Sequence, residues 1–178
     1  MKCFNYILDL PDSFFKIIIT ILISLILILG FLLNNIFIAV VDGSSMEDTI
    51  HHGDVLIINK KSYSTTSPKR YDIVNIYAHY KYDNFLVKRI IGLPGDTIEI
   101  NNSEVYINGD KIYESYIKEE MNIPYYLKLN IPKDKFFVMG DNRNISLDSR
   151  YFGLVQGTDI QGKAIFKYCY KNHKFKLF

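Results

Sequence analysis

From Ile17 to Val41 the chain contains no charged residue, and this run limits the fold more than any other feature. Phe14 to Leu33 is apolar except for Lys16, Thr20, Ser24 and Gly30. Twenty helical residues span about 30 Å, the thickness of a bilayer's hydrocarbon core. Lys16 sits one turn inside and can extend its ammonium to the headgroups. A cleaved secretory signal has an apolar region of only about 7 to 15 residues and ends at a small-x-small site. Here the run is longer and Asn34-Asn35 follows it, so residues 14–35 are expected to be an uncleaved transmembrane anchor. Lys2 and Lys16 precede the run, and the positive-inside rule counts them toward a cytoplasmic segment 1–13. Residues 36–178 would then form an extracytoplasmic domain, leaving Cys3 and Cys169 on opposite sides, unable to pair.

Beyond the anchor the pattern changes to short strand-like pieces bounded by Gly, Asn, Asp and Pro. Residues 36–41, 55–59, 72–77, 85–91, 97–100, 136–139 and 163–168 fit this description. Glu104 to Tyr113 reads as a hairpin turning on Asn108-Gly109, a dipeptide suited to positive φ. No useful helical period occurs, so the domain is expected to be mostly β. Residues 62–69 and 115–135 read as surface loops without chemistry, and the tail from Lys163 as a solvated strand. The net charge of +2, with Lys and Arg scattered among Asp and Glu, gives no nucleic-acid footprint. No metal-ligand spacing or cofactor motif is present, so no cofactor is expected.

Val41-Asp-Gly-Ser-Ser-Met-Glu-Asp-Thr-Ile50 places two serines in a glycine-containing turn just past the anchor. A serine nucleophile needs a base. The four histidines, 51, 52, 79 and 173, lie in polar turns or the basic tail and read as surface residues. Lysine is the other candidate, but it must be desolvated to lose its proton near neutral pH. Lys88 stands in the apolar strand Phe-Leu-Val-Lys-Arg-Ile-Ile, where alternation sends Lys88 and Arg89 to opposite faces, so at least one meets packed structure or a cleft. An edge strand defended by lysine fits that stretch equally well. A third stretch, Met139-Gly-Asp-Asn-Arg-Asn-Ile-Ser-Leu-Asp-Ser-Arg150, carries more Gly, Asp, Asn, Ser and Arg than a turn requires.

Taken together, Gly43-Ser-Ser-Met46, Gly53-Asp54, Arg70-Tyr-Asp-Ile-Val74, Val87 to Asp96 and Gly140 to Arg150, in this order behind an N-terminal anchor, resemble the bacterial type I signal peptidases. The resemblance implies a signal-peptidase-type β domain in its compact, Gram-positive-like form, anchored by one transmembrane helix in the bacterial plasma membrane. It implies a serine endopeptidase that removes signal peptides from secreted preproteins after small-x-small sites, monomeric and near the secretion translocon. Ser45 matches the nucleophile and Lys88 the general base. Ser146 matches a serine that orients the lysine, Asp148 and Arg150 a structural ion pair, and Arg89 and Asp141 braces of the core. Val41, Gly43, Met46, Ile50, Leu86 and Val87 match positions around the substrate pockets, and the Ser45 N–H an oxyanion donor. Asp48 replaces a usual proline, Tyr71 a usual glycine, and Gly43 a serine found in some members. A non-catalytic relative serving pilus assembly or secretion is the alternative, although such proteins usually lose a residue of the dyad.

Overall fold

The computed structural model describes residues 12–80, 82–122 and 126–178; Lys2, Cys3 and Asp9, which bear on orientation and cysteine pairing, lie outside them. Two compact units divide the chain, one ending at Ile36 and the other covering Phe37–Phe178.

The first unit is α1 (Asp12–Asn35), two residues longer at its start than expected. Asp12 in the first turn suits the positive end of the helix dipole. The Thr20 and Ser24 hydroxyls donate to the carbonyls of Lys16 and Ile21, so neither offers an unpaired polar group to its surroundings. Asn35 Nδ2 donates to the Phe31 carbonyl one turn back and so satisfies its own amide within the helix. Its 24 residues reach about 36 Å, and its side chains are exposed almost throughout. The helix is long and apolar enough to cross a membrane.

The second unit is mostly β, as expected. Its elements are β1 (Ile36–Val40), β2 (Val55–Asn59), β3 (Ile73–Tyr80), β4 (Tyr82–Gly92), β5 (Thr97–Asn101), β6 (Glu104–Ile107) and β7 (Asp110–Lys111). Then follow β8 (Leu127–Asn130), β9 (Lys135–Met139), the one-turn helix α2 (Ser149–Phe152), β10 (Val155–Gln156), β11 (Ile160–Cys169) and β12 (Lys174–Leu177). One sheet runs β1-β2-β11-β3-β4-β9-β10, with β12 added to β11, and a second runs β7-β6-β5-β8. Asn108 and Gly109 both take positive φ, 55° and 93°, and turn β6 into β7 as their sequence requires. Strand β8 lies where only loop was expected: Leu127 and Leu129 pack on a core beneath the smaller sheet, although Lys128 and Asn130 keep the stretch polar on average.

Two further cores position the site. Met46, Ile50, Leu56, Ile58, Ile73 and Ala164 pack beneath the serine turn. Val74, Ile76, Ile90, Phe136, Val138 and Val155 fill the other side of β3 and β4. Antiparallel pairing sets Lys88 opposite Val74 and Arg89 opposite Ile73. Both basic side chains of β4 are buried, each toward a different core.

Candidate active site

The serine turn is held from behind. Ile50 N–H donates to the Met46 carbonyl and Glu47 N–H to the Ser44 carbonyl, closing the bend around Ser45. Asn142 fastens it to the loop after β9: its backbone N–H reaches the Ser45 carbonyl at 3.0 Å, and its Nδ2 the Ser44 carbonyl at 3.2 Å. Gly140 passes so close that an added Cβ would stand 2.2 Å from Ser146 Oγ and 2.4 Å from the Ser45 carbonyl oxygen. No side chain fits there. Met46, buried in the core, anchors the turn's apolar side, and Ser45 itself remains half-buried.

Lys88 Nζ lies 2.7 Å from Ser45 Oγ and 3.1 Å from the Val87 carbonyl. The lysine is 2% exposed. Burial pushes its pKa from 10.5 down to about 8, against the opposing pull of Asp148 and Asp141 and with some help from the Arg150 charge. About a tenth of it is therefore neutral at pH 7, against roughly 0.03% for a solvated lysine. Burial has made this amine a usable base.

The surrounding charges are braced in pairs. Arg89 grips Asp141 through two bonds of 2.8 and 2.6 Å, donates to the Tyr71 carbonyl and stacks 4.1 Å from the Tyr116 ring. Tyr71 takes a φ of 72°, which accounts for glycine being usual at that place; the carbonyl it presents to Arg89 depends on this backbone. Asp148 caps α2, accepts from the Gly140 N–H at 3.0 Å, and binds Arg150 through both oxygens at 2.8 Å. Arg150 also donates to the Arg143 carbonyl at 2.7 Å. These two ion pairs, Arg89–Asp141 and Asp148–Arg150, lie in the strand and loop that frame the serine turn.

Ser146 does not hydrogen-bond to Lys88. Its Oγ is buried beside Gly140 with no partner. None of the histidines reaches Ser45 either: His51 lies near Asp54, His52 accepts from the Gly43 N–H, His79 faces Asp159, and His173 meets Tyr168. Among the described residues no three His, Cys, Asp or Glu side chains converge as a metal would require.

A groove of about 450 Å³ leads to the serine, walled by β1 with the following turn and by residues 84–88 of β4. Strand β4 pairs with β9 only from Arg89 onward, and β1 ends its sheet, so both walls present open strand edges. An extended peptide can pair there. Val41, Gly43, Met46, Leu86 and Val87 line the groove. Ile50 does not; it is fully buried beside Met46 in the core.

Sequence reading missed several participants. Asn142 escaped because its amide acts through backbone atoms of a distant turn. Residues 115–135 are expected to be a loop without chemistry, yet Tyr116 donates to Glu114, the residue just before it, which in turn pairs with the buried Arg143, and Lys118 binds Glu47 at 2.9 Å. Phe37, Ala39, Asn75 and Phe85 also line the groove, and only the polar Asn75 within an apolar strand could have signalled it.

A groove with open strand edges, closing on a hydroxyl held by a buried and readily neutralised amine, suits acyl transfer on an extended peptide. It has the chemistry of a serine peptidase. A family model described as "Signal peptidase, peptidase S26" matches residues 12–169. Signal peptidase I of Bacillus caldolyticus is 40% identical over 147 residues, which are 72% of this chain and 77% of the relative. Signal peptidase I P of Bacillus subtilis subsp. natto is 38% identical over 156 residues, 81% of this chain and 83% of that protein. The crystal structure of a signal peptidase I from Enterococcus faecalis V583 is 33% identical, with a TM-score of 0.49 over 55% of this chain and 97% of that one. The chain belongs to the signal peptidase family, peptidase S26.

Proposed function

We propose that this protein is a membrane-anchored serine endopeptidase that removes signal peptides from secreted preproteins, with Ser45 as nucleophile and Lys88 as general base. The observation that carries the reading is the 2.7 Å contact between a buried lysine and a serine hydroxyl at the end of a strand-lined groove.

The signal peptide lies extended in the groove, its small side chains at the first and third positions before the cut turned toward Val41, Met46, Leu86 and Val87. Neutral Lys88 takes the proton as Ser45 Oγ bonds to the scissile carbonyl carbon. Charge developing on the scissile carbonyl oxygen meets the Ser45 N–H, which the turn leaves out of its backbone bonds. Lys88 then returns the proton to the departing amine, and the C–N bond breaks. Water, deprotonated by Lys88 in turn, releases the signal peptide from Ser45. Ser146, with its unpartnered Oγ, is the hydroxyl that holds Lys88 once Ser45 Oγ is acylated. Asp148, Arg150, Arg89 and Asp141 keep the loop, turn and strand in register.

Residues 14–35 serve as the transmembrane anchor, with residues 1–13 cytoplasmic and the domain from residue 36 outside the bacterial plasma membrane, near the translocon and monomeric. An anchor adjoining the nucleophile turn holds the site at the surface where a preprotein's own apolar segment delivers its cut. The test is incubation of a preprotein whose signal ends in Ala-x-Ala with detergent-solubilised wild type, Ser45→Ala and Lys88→Ala, followed by the mass of the product. Cutting after the last alanine by wild type alone supports the reading; no cutting by folded wild type would favour a non-catalytic helper.

A further inference from the structure

The groove has a polar floor for which small apolar side chains have no use. Asn75 stands in the middle of β3 between buried Val74 and Ile76 and is itself only 4% exposed. Its backbone is shielded by β4 on one side, where it pairs with Val87, and by β11 on the other, where it pairs with Gly162. Its carboxamide makes no hydrogen bond to any described residue, although the side chain lines the groove. Lining the groove, the amide takes its hydrogen bonds from water there, and a ligand hydroxyl that replaces this water supplies both a donor and an acceptor to it.

Its place along the groove follows from a neighbouring hollow of about 190 Å³. Phe37, Asn75 and Phe85 line both spaces, whereas Ser45, Met46 and Lys88 line only the groove. Asn75 therefore marks the end remote from the nucleophile. An extended peptide returns a side chain to the same face every second residue, about 6.6 Å further on. With the first residue before the cut at Ser45, the next side chain on that face belongs to the third residue.

We propose that Asn75 is a specificity-determining residue that hydrogen-bonds a serine or threonine hydroxyl at the third position before the cut. The enzyme then selects small hydroxylated residues there over apolar ones of equal shape. This rests on the peptidase reading above and narrows its substrate class.

The experiment compares kcat/KM for preproteins that share alanine at the first position and carry Ala, Thr or Val at the third. Thr and Val are close in shape, so their ratio isolates the hydroxyl. Wild type is expected to prefer Thr over Val by about tenfold, the effect of one hydrogen bond to an otherwise unpaired group. In Asn75→Val the ratio should fall to about one or below. A serine-to-alanine ratio measured at the first position should not move. Equal rates for Thr and Val in wild type would overturn the proposal without any variant. So would a preference that survives in Asn75→Val, or an equal change at the first position, which would mean that the whole groove had altered. Failure of wild type to cut even the Ala-x-Ala substrate would instead refute the peptidase reading itself.

Discussion

Lys88 Nζ and Ser45 Oγ meet at 2.7 Å, although 43 residues separate them in the chain and the lysine is almost wholly buried. Strand β4 delivers one and the turn after β1 the other. A lysine whose pKa has fallen from 10.5 to about 8 costs the domain roughly 3 kcal/mol while it carries a proton. Replacing it with methionine, similar in length and apolar, should abolish cleavage and raise stability at pH 7 by about 1 to 3 kcal/mol. Ser45→Ala should abolish cleavage with little change in stability, and His79→Ala should leave cleavage intact. Urea unfolding beside cleavage assays checks all three; a Lys88→Met domain that is inactive because it is unfolded would contradict the account.

Ser146→Ala separates catalysis from packing. Its Oγ is buried without a partner, so removing it breaks no hydrogen bond seen here. Stability should hold or rise by up to about 1 kcal/mol. The cleavage rate should nevertheless fall at least about tenfold, since Lys88 loses its alternative partner. A normal rate in single-turnover assays would remove Ser146 from the mechanism.

At Gly140 the constraint is steric. A Cβ would meet both the Ser146 hydroxyl and the Ser45 carbonyl, and the second is backbone that cannot rotate away. Gly140→Ala should reduce kcat about a hundredfold or more by displacing the nucleophile, consistent with the sensitivity of catalysis to shifts near 1 Å. Adding Ser146→Gly should fail to restore it, because the carbonyl remains in place. Recovery in that double variant would show that the hydroxyl alone sets the constraint.

The three motifs that carry the site were legible because each is local: a serine turn, a basic pair within an apolar strand, and a loop dense in Asp, Asn, Ser and Arg. The long apolar helix was legible from length alone. What sequence could not show was how distant pieces meet. Arg143 and Glu114 form a buried pair across 29 residues, and nothing near Glu114 distinguishes it from a surface glutamate. Leu127 to Asn130 alternates as a strand does, but a run of four residues between Pro124 and Pro132 is too short to stand out. Ile50 was assigned to a pocket through resemblance, whereas packing against Met46 withdraws it into the core.

Arg89 and Asp141 form a two-bond pair with both side chains nearly inaccessible to water. Asp141→Ala should destabilise the domain by about 3 to 5 kcal/mol, because it leaves the guanidinium buried and unpaired. Arg89→Lys should recover only part of the wild-type stability: an ammonium cannot keep both carboxylate bonds, the Tyr71 carbonyl and the Tyr116 ring together. Thermal unfolding of the two variants ranks them, and a wild-type melt for Arg89→Lys would contradict the bidentate role.

The most direct test of lysine as the base is the pH dependence of kcat/KM, measured on wild type from pH 5.5 to 10, a range set by the expected pKa of about 8. Only the neutral amine can accept the proton, so the rate should climb about tenfold per pH unit and level off near pH 8. Stability carries the matching sign. The unfolded chain holds the Lys88 proton more tightly, so this contribution makes the domain more stable as pH rises from about 8 to 10.5, a rise absent from Lys88→Met. A rate limb near pH 8 with that stability rise is the predicted result. A limb near 6.5, where an ordinary histidine titrates, or a rate still climbing at pH 10, would contradict the claim that buried Lys88 activates Ser45.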